Sequence, residues 1–152
     1  MSKTEQFELH PQLEEDSILV GNFSLCRLLL INDKQFPWFV LVPQRYGIQE
    51  VYQLNAKEQA ELWLESNNLS QTIMKHFEGD KLNIAAIGNV VSQLHLHHVV
   101  RFKTDQLWPK PIWGQLPMSH YLDKELESLF GKIVPELAKI GLKLTNNEVI
   151  KN

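Results

Sequence analysis

Apolar residues gather in short runs along the first third of the chain, and polar turn residues separate them. Ser17 to Phe23, Leu25 to Ile31 and Pro37 to Val42 are rich in Leu, Val, Ile and Phe. Runs of this length and composition predict β-strands. Gly21-Asn22 marks a turn or bulge in the first, Asn32 to Gln35 is a polar turn after the second, and Pro43 closes the third. Short turns between such runs give an antiparallel meander. The period then changes. Asn55 followed by Glu58 is a capping box, and the helix it starts runs to Phe77 and stops before Gly79. Its apolar stripe shifts: Ala56, Ala60, Trp63 and Leu64 line up, but Leu69, Ile73 and Phe77 lie round the cylinder. The Ser66-Asn67-Asn68 run falls at the shift, where a kink or break is expected.

Lys81 to Ile87 predicts a fourth strand, Gly88-Asn89 a two-residue hairpin turn, and Gln93 to Phe102 a fifth strand. The segment after Phe102 is a loop punctuated by Pro109, Pro111 and Gly114. A helical stripe follows at Leu122, Leu126, Leu129, Ile133, Leu137 and Ile140. Gly131 and Pro135 should divide it into two short helices. Residues 3–16 read as a polar lead-in, loose or briefly helical. The expected fold class is α+β, an antiparallel sheet of about five strands with helices packed on it, in a single domain over residues 1–152.

The fifth strand carries the chemistry. Alternate side chains of a strand point to opposite faces. Gln93, His95, His97, Val99 and Arg101 then share one face, and Leu94, Leu96, His98, Val100 and Phe102 the other. An amide, two imidazoles and a guanidinium in one row are costly to bury unless they are used or satisfied.

Composition narrows the setting. The chain has 152 residues, is 43% hydrophobic and carries a formal charge of −3 with a pI near 6.1. An acidic balance disfavours coating of long nucleic acid, which wants a basic face, but leaves room for a local site for a small anion. One cysteine, Cys26, allows no internal disulfide and no Cys-pair zinc site. The first fifteen residues have no secretory pattern, and no apolar run reaches the ~18 residues of a membrane span. A cytoplasmic protein is expected.

Three readings of the histidine row compete. Imidazole can attack phosphorus and form a phosphoramidate, splitting one displacement into two. At an unperturbed pKa near 6.5 the ring is mostly neutral at pH 7, and neighbouring donors would hold the phosphoryl oxygens. Alternatively His95 and His97 share a metal ion with Gln93 as a weak ligand, a third strong ligand having to come from elsewhere. The third reading is structural. It is preferred for His98, which faces the apolar side and would anchor a helix, and for the isolated His10, His76 and His120.

At these residues the chain resembles the histidine triad (HIT) family of nucleotide hydrolases and transferases. The family signature, His-φ-His-φ-His-φ-φ with φ apolar, matches Gln93 to Val99, with His95 and His97 as its second and third histidines. Gln93 replaces the first, and His98 stands at an apolar position. Asn32-Asp33 and Pro37 to Pro43 look like the family's nucleoside-binding strands, so the likeness covers roughly residues 17–105, leaving a helical extension at 117–142 outside it. The resemblance implies a homodimer acting on a nucleotide substrate without a cofactor or catalytic metal. It implies that His95 attacks the α-phosphorus, that His97 orients it and binds phosphate, and that Asn32 or Asp33 holds the ribose. Asn83 and Asn89 would contact phosphates, and Arg101 is a further phosphate candidate. Trp38, Trp108 and Trp113 are candidates to stack on a base, and Trp108 to Pro111 to form a lid or cross an interface. Glutamine at 93 donates a hydrogen bond but transfers no proton. That favours leaving groups that depart unaided, such as polyphosphate in a dinucleoside polyphosphate, over amines. A catalytically weak nucleotide-binding or sensing module is the non-enzyme alternative.

Overall fold

A computed structural model describes residues 5–144. Five strands form one antiparallel sheet: β1 (Ser17–Asn22), β2 (Cys26–Ile31), β3 (Trp38–Pro43), β4 (Lys81–Ala85) and β5 (Leu96–Arg101). Their spatial order is β1-β2-β3-β5-β4. The α+β fold with an antiparallel sheet is as the hydrophobic pattern predicts, and the first three strands are the expected meander. The bulge at Gly21 is also there, as a register shift between Leu19 and Gly21. A methyl group on Gly21 would sit 2.8 Å from the Lys143 carbonyl oxygen, because that strand end pairs with the chain's C-terminal stretch.

The two faces of the sheet are covered differently. Leu28, Leu30, Phe39, Leu41, Leu96 and Val100 pack under helices α2 (Ala56–Phe77) and α3 (Asp123–Ala138). The opposite face is closed in two patches. Leu29, Val40 and Val42 meet Leu13 of the short helix α1 (Pro11–Glu15), and Val99 meets Phe36 and Ile112 of the loop after β5. The whole of β5 is therefore buried.

Three local expectations are corrected. Helix α2 runs unbroken through Ser66-Asn67-Asn68. Its buried face is Leu62, Glu65, Ser66, Leu69 and Ile73, whereas Trp63 and Leu64 are exposed. The stripe is continuous once Glu65 and Ser66 count as interior residues, and both have buried partners. The capping box at Asn55 and Glu58 forms as expected, with bonds of 2.8 and 3.0 Å. Helix α3 is also single, with Pro135 inside it. The hydrogen bond that proline forfeits would end on Gly131, and both residues are exposed, so water can satisfy that carbonyl while Ile133 and Leu137 stay buried. Finally, Gly88-Asn89 is no two-residue turn. Residues 86–95 form a longer connection with Gly88 at φ +66°, pulled from the ladder because Leu94 N–H bonds to the Ile48 carbonyl at 3.0 Å.

Glu65 closes the sheet under α2. Its two carboxylate oxygens accept the N–H groups of Leu25 and Cys26, each at 2.9 Å. These amides belong to the residue before β2 and to its first residue. Replacing Glu65 by alanine should strand two buried donors and destabilise the fold by about 2–4 kcal/mol. Urea denaturation checks this; an unchanged midpoint would show the pair to be dispensable.

Candidate active site

Strand β5 begins at Leu96, so Gln93 and His95 lie just ahead of it, on the connection from β4. The alternation still holds: His95 and His97 share one side of the sheet and His98 the other. The ring centroids of His95 and His97 are 4.9 Å apart and nearly perpendicular. Each residue is only 7% exposed.

The two rings are held in opposite proton arrangements. His95 Nδ1 lies 2.6 Å from the Gln93 carbonyl oxygen. A carbonyl only accepts, so Nδ1 carries a proton, and in the neutral ring the lone pair is on Nε2. That Nε2 has no protein partner among the described residues, and it is not sealed off. His95 instead lines a cleft of about 120 Å³ with Gln49, Glu50, Ala86 to Gly88 and Ser92 to Leu94. His97 shows the reverse. The Trp38 indole N–H donates to its Nδ1 at 2.9 Å. An indole only donates, so His97 carries its proton on Nε2. Burial, with His95 and His98 adding to it, holds the His97 pKa down to about 3. With His95 neutral, the row presents one lone pair, on His95 Nε2, and one N–H donor, on His97 Nε2.

The connection adds further donors. Among the described residues, the backbone N–H groups of residues 87–93 donate to no other backbone group. Of these residues, Ile87, Gly88, Ser92 and Gln93 line the cleft with His95, and unpaired amides there suit an oxyanion or a phosphate.

Gln93 does not lie free beside the imidazoles. Its Nε2 donates to the Glu8 carbonyl and its Oε1 accepts from His10 N–H, both at 2.8 Å. The side chain pairs with the segment before α1 as a strand neighbour would, a contact between residues 83 or more positions apart that no local pattern reveals. Arg101 is 1% exposed and does not join the cleft. It grips Asp105 through two bonds of 2.9 and 3.0 Å and donates to Asn83 Oδ1 at 3.0 Å. Arg101 and Asn83 are thus occupied with each other. Asp105 in turn accepts the N–H groups of Phe102, Leu107 and Trp108, and its carboxyl is held below the usual range chiefly by Arg101.

Asn32 and Asp33 sit where β2 turns towards β3. Asn32 Oδ1 accepts from Tyr121 N–H at 3.0 Å, and Asp33 Oδ1 from Gln35 and Ser119. Asn89 is exposed on the connection. Trp38 serves His97, and the Trp108 ring lies under the Arg101 guanidinium at 5.7 Å. His98 anchors α2 as expected: its Nδ1–H donates to the Leu96 carbonyl and its Nε2 accepts from Ser66 O–H at 2.7 Å. Burial holds its pKa down to about 4. Among the described residues, no group of three His, Cys, Asp or Glu side chains could hold a metal ion.

The model of the HIT domain matches residues 12–104, more than half of the chain. The chain belongs to the HIT family. Two solved HIT structures share most of its length. A histidine triad protein from Marinobacter aquaeolei is 43% identical with a TM-score of 0.88, covering 90% of this chain and 99% of that one. A histidine triad protein from Sinorhizobium meliloti is 38% identical with a TM-score of 0.83, covering 86% and 96%. A curated relative, the bis(5'-adenosyl)-triphosphatase of Dictyostelium discoideum, is 32% identical over 82 residues; the match spans 50% of this chain and 55% of that protein.

Neutral burial of His97 and His98 in this HIT domain makes stability depend on pH. Each folded-state pKa lies below the unfolded value near 6.5, so only the unfolded chain takes up protons as pH falls. Their contribution to stability should be flat above about pH 6.5 and fall by roughly 1.4 kcal/mol per pH unit per histidine down to about pH 4, while Glu65, whose carboxyl burial pushes up to about 7, contributes with the opposite sign between about pH 7 and 4.5. Denaturant titrations at several pH values should show this, and His98→Asn should remove one histidine's share of the slope.

Proposed function

We propose that this HIT protein is a nucleotide hydrolase that cleaves a phosphoanhydride of a dinucleoside polyphosphate through a nucleotidyl-histidine on His95. The observation that carries the reading is the pair of opposite tautomers, a free lone pair on His95 beside a fixed N–H on His97. His95 Nε2 attacks the α-phosphorus, the N–P bond forms, and the P–O bond to the leaving polyphosphate breaks. The Gln93 carbonyl steadies the positive charge that the attacking ring acquires, by accepting from its Nδ1–H. His97 Nε2–H and the free amides of the connection hold the phosphoryl oxygens. Water then attacks the same phosphorus and releases the nucleotide and the neutral ring. The curated relative's name, a bis(5'-adenosyl)-triphosphatase, supports a substrate of this class.

In this reading Gln93 stands at the place of the signature's first histidine. Its amide is taken up by Glu8 and His10 and brings no acid. Leaving groups that need no proton are favoured, and lost acid assistance is typically worth 10²–10⁴-fold. Asn32 and Asp33 are proposed for the ribose: the Asn32 amide N–H groups and the second Asp33 oxygen have no partner among the described residues. A homodimer is proposed along the edge strand β4. There Ile84 and, on the connection, Ile87 and Val90 are exposed, Val90 by 92%. A cytoplasmic setting is also proposed; no helix among the described residues is long and apolar enough to cross a membrane.

Incubation with a diadenosine polyphosphate, followed by acid quench and intact mass, should show a protein–AMP adduct. His95→Ala should lose the adduct and lower turnover by about 10³-fold or more while still binding nucleotide. Full hydrolysis by that variant would overturn the assignment. A dinucleoside polyphosphate should also turn over faster than an adenosine phosphoramidate, and the reverse order would refute the role given to Gln93.

A further inference from the structure

The loop after β5 reaches back to the histidine row. Trp113 lies outside the segment matched by the HIT domain model, yet its ring centroid is 5.5 Å from that of His97 and 6.4 Å from that of Trp38. Both contacts are edge-on, with interplanar angles of 69° and 89°. Trp38 and His97 are themselves 5.7 Å apart. The three rings form one closed cluster, with the Trp38–His97 hydrogen bond inside it.

Trp113 reaches this position because the loop is fastened at both ends of its path. Arg101 and Asp105 fix its start. Ile112 is buried with Phe36 and Val99, and Leu107 and Leu116 pack against them. Further on, Ser119 N–H and Tyr121 N–H bond to Asp33 and Asn32. The Trp113 indole N–H is a buried side-chain donor without a partner among the described residues. A buried orphan donor costs stability, so the ring is held there by its faces and edges rather than by a hydrogen bond.

We propose that Trp113 is a positioning residue that, by packing against Trp38 and His97, keeps the Trp38 N–H on His97 Nδ1 and so keeps His97 an Nε2–H donor. An imidazolium has no lone pair to accept that N–H, so the Trp38 bond disfavours the cation. Trp113 supports it twice, by fixing the Trp38 ring and by keeping water from His97. No opposing charge complicates the balance. The titratable groups facing His97 are His95 and, through the strand, His98. Its register neighbours Val40 on β3 and Ala85 on β4 are uncharged. The importance of this for turnover rests on the function proposed above; the tautomer itself does not.

The test is carried out on the full chain with three variants. Trp38→Phe removes the indole N–H, Trp113→Ala removes the supporting ring, and Trp113→Phe keeps an edge-on ring. Nitrogen-15 NMR of the ligand-free parent should show His97 neutral with its proton on Nε2 down to about pH 5. In Trp38→Phe and Trp113→Ala the tautomers should mix and His97 should titrate at least about one pH unit higher than in the parent. In those two variants part of the neutral His97 rings lack an Nε2–H, so kcat/KM for a diadenosine polyphosphate should fall at neutral pH, while Trp113→Phe should restore the parent value. A His97 spectrum unchanged in Trp38→Phe or in a folded Trp113→Ala would overturn the proposal, whatever the activity. Should the spectra shift as described while His95 forms no adduct, the hydrolase reading fails and the positioning role stands.

Discussion

Two side-chain nitrogens decide what this site can be, and each is decided by a neighbour that can play only one part. A carbonyl cannot donate, so the proton of a neutral ring at 95 lies on Nδ1 and its lone pair on Nε2. An indole cannot accept, so the ring at 97 must present a proton. Neither ring is left to choose its tautomer from solvent. At 97 burial also keeps the ring uncharged, by making the cation expensive. Sheet architecture is what makes the burial possible. β5 lies between β3 and β4 with helices on one face and a fastened loop on the other, so the row of polar groups sits in an interior strand.

The cost of placing polar groups inside is offset one residue at a time. Ser66 on α2 exists to meet His98, and Glu65 one position earlier meets two amides at the start of β2. These two residues make α2 look irregular when only apolar side chains are counted. Arg101 follows the same rule. Its charge is buried but paired with Asp105 and flanked by the rings of Phe36 and Trp108. Breaking such a pair leaves an uncompensated charge in the interior. The pair stands at the exit of β5, so it also sets the direction in which the loop carrying Trp113 leaves the sheet.

Much of this was legible along the chain, and the divisions are physical. The strands, the α2 cap, the bulge at Gly21 and the two faces of β5 follow from local period and turn chemistry, which act within a few residues. His98 was recognised as a structural anchor because its parity put it among leucines and valines. What escaped was whatever depends on distant partners. The Gln93 amide looked like a member of the catalytic row until Glu8 and His10 were seen to occupy it. Arg101 and Asn83 looked like phosphate ligands because a guanidinium and an amide are good ones, yet each is the other's partner. Trp113 carried a signal in its proline-punctuated loop, but nothing there says which strand the loop folds back on. Pro135 and Gly131 misled for the opposite reason: helix breakers were weighed by propensity, and tertiary burial of Ile133 and Leu137 outweighed it.

Glutamine at 93 shows how one residue can be both local and global in its effect. A histidine there offers two ring nitrogens and cannot bridge a backbone carbonyl and a backbone N–H in the manner of an amide. Glutamine can, and it thereby closes the segment before α1 onto the end of the histidine row. Its own carbonyl meanwhile fixes His95. The residue so joins the N-terminal segment to the proposed nucleophile through a single peptide unit. An amide transfers no proton at that position but forms a structural clamp. That is why the reaction proposed for this protein is one whose leaving group carries its own charge away.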